Sequence, residues 1–277
     1  MDKPNSFEFV DSNSKITWAR MVAQLLGARE LIYSLIYRDV AVKYRQSILG
    51  YIWAVLPQLV AVTIFTLLAR YRVIDMGQTD LPYVVHALWS ISVWQFFAAI
   101  LVGCTNSLVD AGTLVTKSNF PKESLVIASI GQPLIDFCIR LVPTIGVMWW
   151  LGYVPDVQAI WIPVVLLGVL LLALGIGFFL AIFNLILRDM GNAVSMLMTF
   201  GVFLAPILYP PPVQAPFFWI NVLNPFSPLL ITTQELLSGS PLSYPVLSLA
   251  IWLSSVLVFL LGWRVFCVAL PRICERA

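Results

Sequence analysis

The chain has 277 residues, of which 60% are hydrophobic and 11% charged, with a formal net charge of +2 at pH 7. No soluble domain of this length presents so apolar a surface, so the composition excludes one and points to a helical protein that crosses a membrane several times. The net charge says little, but its distribution is uneven: seven Lys/Arg stand in the first 49 residues, and no Asp, Glu, Lys or Arg occurs from Met190 to Gln234.

Residues 1–28 carry charges throughout and lack a continuous apolar run. They read as a cytoplasmic tail without a cleavable signal peptide. Residues 29–49 predict an amphipathic interfacial helix. At roughly 100° per residue Tyr33, Tyr37, Val40 and Tyr44 share one face, while Arg38, Asp39, Lys43 and Arg45 take the other. Leu31, Leu35 and Val42 fall on the charged side and are expected to face a protein partner.

Six apolar stretches follow, at about 50–69, 83–109, 125–151, 160–183, 193–209 and 244–263. A span needs about 20 apolar residues to cover the hydrocarbon core. The fold expected is therefore an all-α integral membrane protein of six transmembrane helices, ending in a cytoplasmic tail at 264–277. With the N-terminus inside, thirteen Lys/Arg lie on the cytoplasmic side and only Arg70 and Arg72 outside, which the positive-inside rule reads as both termini cytoplasmic.

Residues 210–243 fit no simple span. They begin with three prolines, contain Pro216, Pro225, Pro228 and Pro241, and stay largely apolar. Two short helical pieces, Pro216 to Leu223 and Pro228 to Leu237, are divided by Asn224-Pro225. Each is too short to cross and too apolar for a plain loop, so a re-entrant or interfacial helical hairpin before the last helix is expected, on the outer face.

No nucleotide site is present in the pattern. The nearest approach to a phosphate-binding loop, Gly112 to Ser118, has Thr116 where the lysine should be preceded by glycine, and no strand leads into it. Asp136 and Arg140 lie four residues apart in the third apolar stretch, with Asp136 roughly 18 Å into the helix, near the middle of a bilayer. Charges at that depth mark either a functional site or a self-neutralising pair that orients helix packing. His86, the only histidine, has no second ligand in the pattern and reads as an interfacial residue. Cys104, Cys138, Cys267 and Cys274 form no C-x-x-C pair and read as apolar fillers. Trp149, Trp150, Trp161, Trp219 and Trp252 fit an aromatic belt, and some of their rings could instead stack on sugars. Two inside loops, Asp110 to Ser124 (with Pro121 as a stop) and Asn184 to Asn192, are of a size to dock on a cytoplasmic partner.

RDVAVKYRQSILGYIWAVLPQL (Arg38 to Leu59), TKSNFPKE (Thr116 to Glu123), LRDMGN (Leu187 to Asn192) and LNPFSPL (Leu223 to Leu229) together resemble the permease subunits of ABC-2 type exporters. The resemblance covers Tyr33 to Ala269, corresponding to an ABC-2 transmembrane domain at 33–269, and is closest to the O-antigen and teichoic-acid polysaccharide transporters. Gln46-Ser47 favours that branch over the capsule exporters. The family usually shows Gln-Pro where this chain has Pro57-Gln58, which is expected to shift the kink of the first helix.

The resemblance implies a non-enzymatic homodimer in the bacterial inner membrane. It works with two copies of a separate ATPase that holds ATP and Mg, and threads a lipid-linked polysaccharide outward. It implies ATPase-coupling roles for Arg38, Lys43 and Arg45, for Lys117, Ser118, Asn119, Phe120, Pro121 and Lys122, and for Arg188 and Asp189. The first and fifth helices would border the channel, with Tyr33, Tyr37, Tyr44, Trp53, Phe65, Phe200 and Phe203 along the substrate path. Pro216, Phe217, Phe218, Trp219, Asn224 and Pro225 would form the outer gate. Exporters of capsule, drugs or lipids belong to the same class. An ion-coupled transporter using Asp136, or a membrane enzyme acting on lipid-linked sugars, is a different class. The first would want internal repeats and the second a cluster of acids, and the chain shows neither pattern.

Overall fold

The computed structural model describes residues 17–45, 51–71, 80–112, 120–209 and 217–274. Among them the regular elements are all helical: α1 (Trp18–Gly27), α2 (Arg29–Arg45), α3 (Ile52–Arg70), α4 (Tyr83–Ala111), α5 (Glu123–Ala128), α6 (Gly131–Trp150), a 3-10 turn (Val157–Trp161), α7 (Ile162–Ile186), α8 (Met190–Gly201), α9 (Phe217–Leu223), α10 (Phe226–Ser238) and α11 (Pro245–Cys274).

Four helical stretches among the described residues are long and apolar enough to cross a bilayer: Tyr83–Ala111, Glu123–Trp150, Val157–Ile186 and Pro245–Ile273. The apolar part of α3 is shorter. α8 has 12 residues, about 18 Å at 1.5 Å per residue, and gives way to turns after Gly201. Length alone therefore supports four of the six expected spans. The third stretch begins two residues earlier than expected and is broken at Ser129–Ile130 between α5 and α6. Pro121 stands before α5, and its carbonyl accepts the backbone N–H of Ser124 at 3.1 Å.

The centre of the molecule is α4, buried along most of its length, with α7 against it and α11 outside α7. α7 and α11 cross with backbones nearly touching. A Cβ added to Gly262 would lie 2.4 Å from the carbonyl oxygen of Gly175. Helices in lipid gain little from the hydrophobic effect against one another, so close approach at small residues supplies the association instead.

Two regions read as tails are built into this core. Residues 18–27 are helical rather than a plain tail, with Met21 buried and the Trp18 ring edge-on to Trp263 at 6.2 Å between centroids. The Arg264 guanidinium lies over the Trp18 ring at 5.3 Å, a cation–π contact. α11 runs to Cys274, eleven residues beyond the expected end of the span, because Trp263, Phe266 and Leu270 form a continuous buried stripe. Hydropathy marks where lipid ends; this helix continues because protein takes over as the apolar partner.

α3 is held by a narrow stripe. Its buried residues are Ala54, Gln58 and Val62, one turn apart. Gln58 Nε2 donates to the carbonyl of Leu88 at 3.0 Å and to Ser92 Oγ at 2.9 Å, tying α3 to α4. The position that departs from the family pattern is thus the polar contact between the first two apolar helices, directly after Pro57 within α3.

Candidate coupling site

α2 lies on α5 and the start of α6 through the residues that set it apart from a plain surface helix. Leu35 is buried, and Leu31, Ile32 and Ile36 pack on the core. Leu31 and Leu35 therefore pack within this chain, where α2 lies mainly on α5 and α6. The periodicity identified their separate face correctly, but the cover for that face is contributed by residues about 90 positions later. Val42 is exposed. Ile36 seats in the hole left by Gly131, where an added Cβ would stand 2.4 Å from Ile36 Cγ2.

Seven residues on, Lys43 Nζ donates to Asp136 Oδ2 at 2.7 Å, with the Asp136 side chain 5% exposed and that of Lys43 37%. Arg140, one turn after Asp136, donates from Nε to the carbonyl of Ala54 at 3.1 Å. The two charged residues of α6 expected to pair with each other therefore reach α2 and α3. Of the other residues assigned to coupling on α2, Arg38 is bound to its neighbour Asp39 at 2.8 Å and stays half-exposed. Arg45 ends α2, and its side chain lies outside the described residues, as does that of Tyr44.

Lys117, Ser118 and Asn119 lie outside the described residues. Phe120, Pro121 and Lys122 lead into α5, with Lys122 Nζ over the Phe120 ring at 4.4 Å. Arg188 and Asp189 are exposed in the turn before α8. What fixes that turn is a residue not singled out in the sequence. Asn184, buried at the end of α7, donates from Nδ2 to the Thr105 carbonyl and to Asn106 Oδ1, both at 3.0 Å, and accepts the N–H of Gly191 at 2.8 Å. It joins α4, α7 and α8, and nothing in the sequence separates it from the exposed Asn192 of the same loop.

Of the residues assigned to the substrate path, Tyr33, Tyr37, Trp53, Phe200 and Phe203 are exposed on the surface of this chain, while Phe65 packs partly on the core. Of the gate residues, Pro216 and the Phe217 side chain lie outside the described residues. Phe218 stacks edge-on with Trp219 at 5.5 Å. Asn224 and Pro225 divide α9 from α10 as expected. Asn224 Oδ1 accepts the N–H of Phe226 at 3.0 Å, satisfying one of the donors that the first turn of α10 leaves open, and its Nδ2 reaches the carbonyl of Leu204 at 3.3 Å.

The second helix of the hairpin is buried in the protein. From Phe226 to Leu237 every residue of α10 is buried. Two of its polar side chains are tied to α4: Trp89 Nε1 donates to Thr233 Oγ1 at 2.9 Å, and Gln234 Nε2 donates to Ser90 Oγ at 2.8 Å. Near its end Glu235 Oε1 accepts the N–H of Ser243 at 2.9 Å, while Oε2 is buried with no hydrogen-bond partner among the described residues.

Burial raises the Glu235 carboxyl above the usual range, opposed by the Ser243 bonds and reinforced by Asp80. An unfolded chain ionises this group first, so the carboxylate costs stability as pH rises through that window and costs nothing in acid, where both states hold the proton. Glu235→Gln is therefore expected to raise the Tm of the detergent-purified protein near neutral pH. The gain should vanish in acid; equal gains at both pH values would refute the assignment.

A family model for the ABC-2 type transporter matches residues 30–239. The chain belongs to the ABC-2 type transporter family. The matched region of this ABC-2 transporter starts in α2 and ends after α10, so it takes in the α2–α6 contacts, the loop regions 110–124 and 184–192, and both helices of the hairpin. Curated relatives span the same region. The "O-antigen export system permease protein RfbA" of Klebsiella pneumoniae is 23% identical over 240 residues, covering 86% of this chain and 91% of the relative. The protein of the same name from Myxococcus xanthus is 29% identical over 195 residues, covering 69% and 72%. An ABC-2 transporter chain of this kind is the membrane subunit of a transporter and not itself an enzyme.

Proposed function

We propose that this ABC-2 transporter is the permease of an exporter that carries O-antigen, teichoic acid or a related lipid-linked glycan across the bacterial inner membrane, driven by a separate ATPase. The observation that carries the substrate class is the alignment with relatives named as O-antigen export permeases, which spans 91% of the Klebsiella protein. The family supports an ATPase partner, since the pattern of this chain offers no phosphate-binding loop of its own.

In the full reading two such chains pair, with two ATPase copies below them and both termini cytoplasmic. α3 serves as the first span, and α8 with the turns that follow it as the fifth. α9 and α10 form a re-entrant outer gate whose inner arm is anchored by the buried face of α10. Tyr33, Tyr37, Trp53, Phe200 and Phe203, exposed on one chain, are available to border a channel made by two. Arg38, Lys122, Arg188 and Asp189 would stand at the ATPase surface, together with Lys117.

Copurification with an ABC ATPase chain of the same cell, followed by glycan transport into proteoliposomes, tests this directly. Transport should require ATP and the ATPase chain. The double variant Lys117→Ala/Lys122→Ala should lower export roughly tenfold while the permease still folds, a loss within the usual range of coupling free energies. Glycan movement by the permease alone under an ion gradient would reject the reading.

A further inference from the structure

We propose that the Lys43–Asp136 ion pair is a latch that makes α2, α6 and the start of α3 move as one body, so that Lys43 and Asp136 are positioning residues for export. This rests on the exporter reading above and departs from it at one residue. Lys43 serves the coupling from inside the chain, on Asp136, rather than by contact with the ATPase.

The geometry carries the claim. α2 is attached to α6 at two separated points, Ile36 in the Gly131 hole and Lys43 on Asp136. These are seven residues apart on α2 and five on α6, about 10 Å and about 8 Å along the two axes. Packing confined to the earlier part of α2, through Leu31, Ile32, Leu35 and Ile36, leaves its far end free to swing, and the Lys43 contact at that lever arm removes the swing. The Lys43 contact is a charge-assisted bond at 2.7 Å to a carboxylate that is 5% exposed, which makes it stronger than a neutral hydrogen bond.

The same face of α6 then reaches α3 through Arg140 and the Ala54 carbonyl at 3.1 Å. Helices α2 and α3 are thereby fixed to a common support independently of the segment that joins them. A push received on α2 at Arg38, which stays half-exposed, would be delivered to α3 and α6 together.

The test uses the complete permease–ATPase complex in lipid nanodiscs and proteoliposomes, with Lys43→Met, Asp136→Asn and the exchange Lys43→Asp/Asp136→Lys. Two readouts are taken: glycan exported per ATP hydrolysed, and hydrogen exchange of the α2 amides with and without nucleotide. Each single variant should hydrolyse ATP within about twofold of wild type, lose about tenfold in export per ATP, and exchange its α2 amides faster. The exchange variant should recover both readouts.

Unchanged export per ATP in Asp136→Asn would overturn the proposal. So would an exchange variant whose α2 protection returns while export does not, since the pair would then serve local packing alone. If the single variants fail to insert, the exchange variant decides by the same criterion. Should the wild-type complex move no glycan, the substrate reading falls, and hydrogen exchange still judges the latch. Equal α2 protection in wild type and single variants would overturn it.

Discussion

Gly175→Leu is expected to abolish the folded protein. A Cβ at Gly175 would stand 2.6 Å from the backbone nitrogen of Phe259 and 2.7 Å from the carbonyl carbon of Val258, so the obstacle is the α11 backbone, not a side chain that can rotate away. The opposing Gly262 is equally closed by the Gly175 carbonyl. Relief requires α7 and α11 to separate along their whole crossing. Overpacking in a rigid core costs about 1–3 kcal/mol and more where backbone must move. Parting two packed backbones carries the loss here above that range, past the roughly 5 kcal/mol at the lower end of an ordinary stability margin. Gly146 on α6 is the control, since an added Cβ there meets nothing within 4 Å. Fluorescence-detected size-exclusion chromatography should show a monodisperse peak for Gly146→Leu and aggregate for Gly175→Leu. A monodisperse Gly175→Leu of wild-type Tm would show that the two helices do not cross as closely as described.

Asn184→Leu should be the most damaging polar-to-apolar change. The side chain is 1% exposed and makes three bonds, two as donor to α4 and one as acceptor from Gly191 in the first turn of α8. Leucine of similar size leaves the Gly191 N–H and Asn106 Oδ1 without these bonds. A buried group left unsatisfied costs about 1–3 kcal/mol, so a loss of roughly 3 kcal/mol follows for the set. The turn bearing Arg188 and Asp189 would also be freed from α4. Asn192→Ala, eight residues away and exposed, should change stability by less than about 0.5 kcal/mol. Thermal unfolding of the two variants side by side measures the contrast, and equal Tm values would refute the network.

Much of the helical order was legible because lipid imposes a length and a composition that single residues report. The Asn224-Pro225 break was equally readable: proline ends one helix, and asparagine offers an oxygen to the next, as Asn224 Oδ1 does for Phe226. The family was legible in the Arg38 to Leu59 run, because its residues are local in sequence.

What stayed hidden depended on partners far along the chain. Lys43 reads as one of several basic residues on a surface helix, and only its approach to Asp136, 93 residues away, reveals an internal bond. Gln58 reads as a deviation from a pattern until Leu88 and Ser92 are placed beside it. α1 reads as a tail until Trp263 supplies the other ring.

By itself the sequence determined an all-helical membrane chain, the positions of its main apolar helices, the divided hairpin and the exporter family. Only the tertiary structure decided which apolar faces meet protein. The apolar stretch of α11 exceeds that of α4 in mean hydropathy, yet 22% of it is buried against 72% for α4. Lipid and protein interior are equally dry, so hydropathy cannot tell them apart. Close backbone approach at Gly175 and the reach of single polar groups such as Asn184 and Lys43 settle it, and both exist only once distant segments are brought together.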